Sequence, residues 1–238
     1  MSENSAPLNA STRKKSFGSV EDFLKAVYTL QQTLQGDDER VATNALAEEL
    51  EITAPSVTDM ARRMVEAGYI DYQRYHGVKL TPQGEAVALR VIRRHRLIEL
   101  YLVTELGYAL HEVHDEAENL EHAVSDRFVD AIAARLDNPH IDPHGDPIPA
   151  KDGSIPRRHL VALSDLPLKT AATVSRFIAE NSEMLQHILG KGFKLDARVE
   201  VMSRDPFEGP VTARINDQER IIGHNVAAAI LVEVIPEA

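Results

Sequence analysis

The feature that most constrains the fold is a change in hydrophobic spacing along the chain. Apolar residues recur three or four positions apart through most of the region before residue 137, which is the spacing of amphipathic helices. Residues 138–156 then contain five prolines and two glycines, and short alternating apolar runs follow them. This order predicts an α+β chain that is mostly helical at first and ends in a small β-barrel.

The first helical segments predict a DNA-binding fold. A helix that begins near Ser19 is expected to end at residues 36–38, and a short helix follows Thr43. The next helix has Thr53 as its N-cap, Pro55 in its first turn and Gly68 as its stop. The tight turn at residues 51–53 makes these two short helices a helix-turn-helix. Strands at residues 69–75 and 78–81, joined by a two-residue turn at 76–77, are expected to form its wing.

The middle of the chain predicts two long helices that suit a dimer-forming bundle. Thr81 and Pro82 begin the first, which runs to about Leu106 before Gly107, and the second is expected over residues 113–136. Beyond the proline-rich stretch, a helix is predicted at 182–189 and strands at 197–202, 211–215, 219–222 and 229–234.

These patterns divide the chain into five segments. The expected order is a flexible tail at 1–18, whose Arg13, Lys14 and Lys15 could touch phosphates, a winged helix-turn-helix at 19–86, a helical domain at 87–140, a linker at 141–158 and a C-terminal domain at 159–238. No apolar run is long enough to cross a bilayer, and the first 18 residues lack the apolar stretch of a signal peptide. We therefore expect a cytoplasmic protein without a membrane partner.

The chain has no cysteine, so a metal site would have to use histidine, carboxylate and backbone oxygen. In Glu118-Asn-Leu-Glu121-His122, three such groups share one helix face. His95 and Glu99 lie four residues apart on the preceding helix, and His114 precedes Glu118 by one turn. The spacing indicates a metal centre between two helices, with a solvated acidic face as the other interpretation. No functional role is predicted for four further histidines, His111, His140, His144 and His187.

The net charge of −11 counts against nucleic-acid binding, but the acids crowd residues 99–130, away from the helix-turn-helix. The start of the second helix of that motif is where base contacts are usually made. The candidates for base contact are Thr53, Pro55, Ser56, Thr58 and Asp59. The candidates for neutralising the DNA backbone are Arg62, Arg63, Arg74 and Lys79.

With these motifs in order, the chain resembles the diphtheria toxin repressor family of metal-dependent transcriptional regulators. The resemblance rests on Ala26-Val27-Tyr28-Thr29-Leu30, Ala54-Pro55-Ser56-Val57-Thr58, Arg93-Arg94-His95-Arg96-Leu97, Val113-His114-Asp115-Glu116-Ala117, the Glu121-His122 pair and Ser125-Asp126. It implies a winged helix, a helical metal-binding and dimerisation domain, and a C-terminal SH3-like (FeoA-like) domain. It also implies a repressor of metal homeostasis that binds double-stranded operator DNA as a homodimer and is not an enzyme.

The resemblance also implies a ligand set. Asp22, Glu118, Glu121 and His122 correspond to the regulatory ligands, and His95 and Glu99 complete that site or form another with His114. Because Asp22 is on the first helix, a metal shared with Glu121 and His122 would tie the DNA-binding domain to the dimerisation domain.

The identity of the residues at these positions indicates which metal is sensed. Asp22 and Glu118 stand where the iron-sensing branch has methionine and cysteine, which favours Mn²⁺, with Fe²⁺ as the alternative and other divalent metals able to bind. Lys25 departs from the manganese branch, which has glutamate there. Arg176 and Ala179 replace the ancillary ligands that the iron branch takes from its C-terminal domain, which leaves Glu180 as a weak substitute.

Two other functions fit parts of the pattern. A helical enzyme with a di-metal carboxylate and histidine site would repeat Glu-x-x-His on two helices, whereas this chain has Glu118-x-x-x-His122. A winged-helix regulator that needs no metal would leave the acids merely solvated. Metal titration with DNA binding as the readout separates all three.

Overall fold

The structure is a computed structural model that describes residues 20–34, 40–156, 158–179 and 181–235. The predicted tail at 1–18, the helix end predicted at 36–38 and Glu180 lie outside these ranges. The chain divides into two compact units, Met1–Ala88 and Leu89–Ala238. No helix among the described residues is long and apolar enough to span a membrane.

The first unit contains the predicted helix-turn-helix. Its helices are α1 (Val20–Gln31), α2 (Thr43–Glu49) and α3 (Ala54–Glu66), followed by β1 (Ile70–Gln73), β2 (Gly77–Leu80) and the start of α4 (Pro82–Leu106). Thr53 caps α3 as predicted, because its hydroxyl accepts a hydrogen bond from the Ser56 amide. The three helices and both strands bury their apolar residues in one core, which includes Phe23, Leu46, Val57, Met60 and Val78. The two strands are thus packed in the same core as α3.

The wing differs from the prediction at its turn. Gln73 pairs with Gly77, so the loop has three residues, Arg74 to His76, and the predicted two-residue turn at 76–77 is wrong. Gly77 belongs to β2, which also exchanges two backbone hydrogen bonds with Val41 through Val78. A Cβ atom on Gly77 would lie 2.2 Å from the Val41 carbonyl oxygen, and its φ is +111°. The glycine therefore allows a close approach of two backbones rather than the turn.

The second unit begins with the rest of α4, α5 (Val113–Glu121) and α6 (Asp126–Arg135). The single helix predicted at residues 113–136 is wrong, because it is two helices with a break after Glu121. The Ser125 hydroxyl accepts a hydrogen bond from the Phe128 amide and starts a new helix at Asp126. Leu97, Leu102, Val113 and Ile132 pack these helices together.

The C-terminal part of the second unit is an antiparallel sheet with SH3-like character. Its elements are β3 (Val161–Ala162), β4 (Ala171–Phe177), α7 (Ser182–Gly190), β5 (Arg198–Arg204), β6 (Val211–Ile215), β7 (Gln218–Ile222), α8 (His224–Ala228) and β8 (Ile230–Val234). The strand order is β3-β8-β4-β5-β6-β7, and no pairing in the described part of the chain closes the sheet between β7 and β3. The predicted helix and four predicted strands correspond to α7, β5, β6, β7 and β8. The sequence did not predict β3, β4 or α8.

Candidate metal centre

Three buried ionisable side chains meet where α4 packs near α5. His95 and Glu99 lie one turn apart on α4, and Glu121 is the last residue of α5. Glu121 is fully buried, and Glu99 and His95 are only 2% and 6% exposed. Because burying a charge is costly unless it is paired, these side chains must partner one another or an ion.

His95 is at the middle of this cluster and uses both ring nitrogens. Its Nδ1 lies 2.6 Å from Glu121 Oε2, and its Nε2 lies 2.9 Å from Glu99 Oε1 and 3.2 Å from His114 Nδ1. Glu118 Oε1 is 4.0 Å from the same Nδ1. Two sets of potential ligands therefore lie on opposite sides of one imidazole, His95 with Glu99 and His114, and His95 with Glu118 and Glu121.

A neutral imidazole has one nitrogen with a free lone pair and one N–H, so His95 can offer a lone pair to only one of the two sets. If Nδ1 binds a metal beside Glu118 and Glu121, the Nε2 proton is donated to Glu99. If Nε2 binds a metal beside Glu99 and His114, the Nδ1 proton is donated to Glu121. In either case the second nitrogen orients the ring through a carboxylate, the usual arrangement behind a metal-bound histidine.

The remaining predicted ligands of this unit lie at the outer side of the cluster. His122 Nε2 is 3.3 Å from Glu121 Oε1, and His114 Nε2 is 3.9 Å from Glu118 Oε1. The side chains of His114, His122 and Glu118 are 60%, 31% and 23% exposed. A metal could therefore reach the buried carboxylates from this side. The structure brings together all six ligands predicted in the second unit.

Asp22, the seventh predicted ligand, lies on α1 of the first unit together with Lys25, and both side chains are half-buried. The role of Asp22 as a ligand shared between two domains stays a prediction.

Glu99 is held ionised by the histidines around it. Burial alone would raise the pKa of Glu99, but the neighbouring imidazoles of His114, His144 and His95 outweigh this and lower the pKa far below its ordinary value. Burial would lower the pKa of His144, but Glu99, Asp142 and Asp146 raise it overall. A metal that binds both Glu99 and His144 would therefore compete with the proton on His144, because a ligating histidine must be neutral.

His144 is a candidate metal ligand that the sequence did not predict. Its Nε2 lies 3.7 Å from Glu99 Oε1, beside the set that contains His114. It belongs to the proline-rich stretch, where no helical spacing linked it to α4. The one local signal is Asp142, two residues earlier, whose carboxylate accepts hydrogen bonds from the amides of His144 and Asp146 and so folds the stretch into a tight turn.

This stretch is bound to both α4 and the sheet. Arg96 of α4 donates a hydrogen bond to the Pro147 carbonyl, and its guanidinium is 3.1 Å from Asp146. On the other side, the Phe177 amide of β4 donates to the His144 carbonyl at 2.9 Å. Arg176 of β4 forms an ion pair with Asp146 at 2.7 Å. β4 therefore contributes a cation to this region through Arg176.

The predicted DNA-contacting residues lie at the start of α3, in its second half and on the wing. Thr53, Pro55, Ser56, Asp59, Arg62, Arg63 and Arg74 are exposed, and Thr58 is half-buried. The Thr58 hydroxyl donates a hydrogen bond to the Ala54 carbonyl within α3, so its proton is already used. Arg62 is 3.5 Å from Asp59 on the same helix, an exposed pair that DNA phosphates can disrupt.

Three family models match successive parts of the chain. Residues 17–78 match the family described as iron dependent repressor, N-terminal DNA binding domain, and residues 81–150 match its metal binding and dimerisation domain. Residues 161–234 match the FeoA domain.

Individual relatives are similar over nearly the whole chain. The diphtheria toxin repressor of Corynebacterium glutamicum is 31% identical over 92% of this chain and 93% of its own length. The iron-dependent repressor IdeR of Mycobacterium tuberculosis is 29% identical over 90% of this chain and 96% of its own.

Solved structures show the same similarity. A manganese-dependent transcriptional repressor in complex with manganese is 38% identical, with a TM-score of 0.83 over 91% of this chain and 100% of that one. ScaR with bound Zn²⁺ is 30% identical, with a TM-score of 0.76 over 92% and 100% of the two chains.

Proposed function

Because the chain belongs to the diphtheria toxin repressor family of metal-dependent regulators, we propose that it is a repressor whose binding to operator DNA requires a divalent metal. The observation that carries this proposal is the pair of buried carboxylates, Glu121 and Glu99, on the two sides of His95. A stretch of merely solvated acids would be exposed and would not surround an imidazole.

The regulatory ligands that we propose are Glu118, Glu121 and His122, with Asp22 as the ligand from the first helix. A bound divalent cation would supply positive charge that offsets the repulsion between these carboxylates. If Asp22 completes the set, metal binding would favour one arrangement of the DNA-binding domain over others, and that arrangement would be the one that binds DNA.

A second metal position is proposed at Glu99, His114 and His144. Its carboxylate, on α4, is ionised, and its two histidines come from α5 and the proline-rich stretch, so that it too could join separate elements. Since His95 can serve only one set, we expect the two positions to differ in affinity. Counting bound Mn²⁺ in the parent and in Glu99→Gln tests this, and an unchanged count would remove the second position.

Mn²⁺ is the metal that we propose first, with Fe²⁺ as the alternative. The predicted set has three carboxylates and one imidazole, and oxygen-rich sites suit Mn²⁺ better than softer metals. A relative at 38% identity is a manganese-dependent repressor, which supports this choice, and iron-dependent relatives at 29% identity support the alternative.

The remaining parts of the proposal concern assembly and location. We propose a homodimer formed through the helical domain at 87–140, because this region matches a metal binding and dimerisation domain. We propose that the protein works in the cytoplasm, because its operator DNA would be there. We also propose that it is not an enzyme, because its relatives are transcriptional repressors. The boundaries at 1–18, 19–86, 87–140, 141–158 and 159–238 stay predictions.

DNA binding before and after removal of metal tests the central proposal. A duplex is first selected from a randomised pool with the parent protein and Mn²⁺. Affinity is then measured at constant salt in the protein stripped by a chelator and after Mn²⁺ is restored. We expect restoration to tighten binding about 5–150-fold, the usual range of coupling between two sites. Equal affinity with and without metal would overturn the proposal.

A matched pair of variants separates the metal site from the fold. Glu121→Ala should abolish the response to Mn²⁺, whereas Asp115→Asn should keep it, because Asp115 is an exposed residue on the same helix.

A further inference from the structure

The turn that carries His144 is packed against β4 of the sheet. Gly145 has a φ of +92°, and a Cβ atom on it would lie 2.1 Å from the Ser175 carbonyl oxygen. The backbones of the turn and of β4 are therefore in direct contact, which a side chain at position 145 would prevent. The Phe177 amide also donates a hydrogen bond to the His144 carbonyl at 2.9 Å. The backbone of β4 thus fixes the main chain at His144.

The side chain of Arg176 adds an ion pair to this backbone contact. Its guanidinium is 2.7 Å from Asp146 Oδ1, and the guanidinium of Arg96 on α4 is 3.1 Å from the same oxygen. The Asp146 side chain is only 15% exposed, so these pairs are screened less than pairs on the surface. The carboxylate of Asp146 therefore ties α4 to β4, two residues after His144.

The sheet also contacts the segment that leads into a second proposed ligand. Leu110 lies in the loop between α4 and α5, four residues before His114, and packs against the buried core of the sheet. Two of the three ligands proposed for the second metal position, His114 and His144, therefore lie close in sequence to residues that contact the sheet.

The affinity of a metal site depends on how well its ligands are held before the metal binds. A ligand that already has its bound orientation loses less conformational freedom on binding. His144 lies in a turn rather than in a helix or strand, so its orientation depends on the contacts of that turn. Residues that orient a ligand from outside a metal site commonly change metal affinity by about 10–100-fold when they are mutated.

We propose that Arg176 is a positioning residue for the second metal position, and that its ion pair with Asp146 keeps His144 in the orientation that binds the metal. The guanidinium stays protonated, so Arg176 cannot itself be a ligand. The C-terminal sheet thereby sets the affinity of a metal position on the helical part of the same unit. This inference rests on the second metal position of the proposed function.

Two effects of Arg176 on a bound cation have opposite signs. As a positive charge it repels a metal, so by charge alone Arg176→Ala would tighten binding. As a positioning residue it favours binding, so the same substitution would weaken binding. The direction of the change in affinity therefore separates positioning from plain electrostatics.

Titration of the metal-free protein with Mn²⁺, with the free ion measured by electron paramagnetic resonance, gives the affinity of each position without DNA. The second position is the one that Glu99→Gln removes. We expect Arg176→Ala to weaken this position about tenfold and to leave the other unchanged, and Arg176→Lys to recover most of the loss. Arg158→Ala is the matched control, because Arg158 pairs with Glu233 of β8 at 2.8 Å on the same sheet. It should keep the parent's affinity at both positions.

A double-mutant cycle tests whether Arg176 acts through His144. If it does, Arg176→Ala should have no further effect in a His144→Gln background. Unchanged or tighter binding in Arg176→Ala, or an equal loss in both backgrounds, would overturn the inference. A Mn²⁺ count that Glu99→Gln does not lower would remove the second position and this inference with it. Metal-dependent repression is decided separately, by the DNA affinity of the parent with and without Mn²⁺.

Discussion

Replacing Glu121 by glutamine removes one negative charge from the centre of the metal site without changing the size of the side chain. Glu121 is fully buried, and its Oε2 lies 2.6 Å from His95 Nδ1. The amide oxygen of glutamine can accept the same hydrogen bond from the imidazole, so we expect the variant to fold. The measured change should therefore report the loss of a metal ligand.

The expected magnitude follows from linkage between metal binding and folding. At a free Mn²⁺ concentration 100 times its Kd, the parent should be stabilised by about 2.7 kcal/mol. For a unit of about 150 residues, this corresponds to a rise of roughly 5–11 °C in Tm. If Glu121→Gln weakens binding by about 100-fold, the same Mn²⁺ concentration equals the new Kd, and the stabilisation falls to about 0.4 kcal/mol, or roughly 1–2 °C.

Differential scanning calorimetry with and without Mn²⁺ measures both shifts. The control is Asp115→Asn on the same helix, for which the rise in Tm should equal that of the parent. A Glu121→Gln protein that keeps at least half of the parent's shift would refute the assignment of Glu121 as a ligand, as would an Asp115→Asn protein that loses it.

Three further variants test other parts of the structure. Glu118→Cys should move the metal preference for DNA binding from Mn²⁺ toward Fe²⁺ or Co²⁺, because a thiolate softens the site; an unchanged ranking in anaerobic titrations contradicts this. Arg176→Ala should keep the Mn²⁺ response and cost about 1 kcal/mol at most, since Asp146 still contacts another arginine; a lost response would make Arg176 part of the regulatory site. Gly77→Ala should destabilise the first unit by about 1–3 kcal/mol in urea unfolding, because its Cβ would collide with the Val41 carbonyl and its φ is positive; a stability like that of the parent would show that the backbone can move apart there.

The sequence by itself determined the helices whose ends are set by local chemistry. Thr53 and Pro55 begin α3, and Pro82 and Gly107 bound α4, because caps, proline and glycine act on the backbone next to them. It also predicted the ligands that share one helix face, since spacings of three and four residues place side chains together without knowledge of the rest of the fold. The choice of these particular carboxylates as metal ligands came from the resemblance to a known family.

Only the tertiary structure decided the features that depend on distant contacts. The sequence around Gly77 is typical of a turn, and only the fold places the Val41 backbone beside it. The apolar stripe continues through residues 113–136, so the sequence does not show the helix break before Ser125. His144 shows the same limit most clearly. It is 45 residues from Glu99 along the chain, in a stretch without periodic spacing. It reaches that carboxylate because Arg96 of α4 and the backbone of β4 hold the stretch in place. Hydrophobic periodicity indicates which side chains lie on the same face of one helix or strand. Which helices and strands contact each other depends instead on how their surfaces pack.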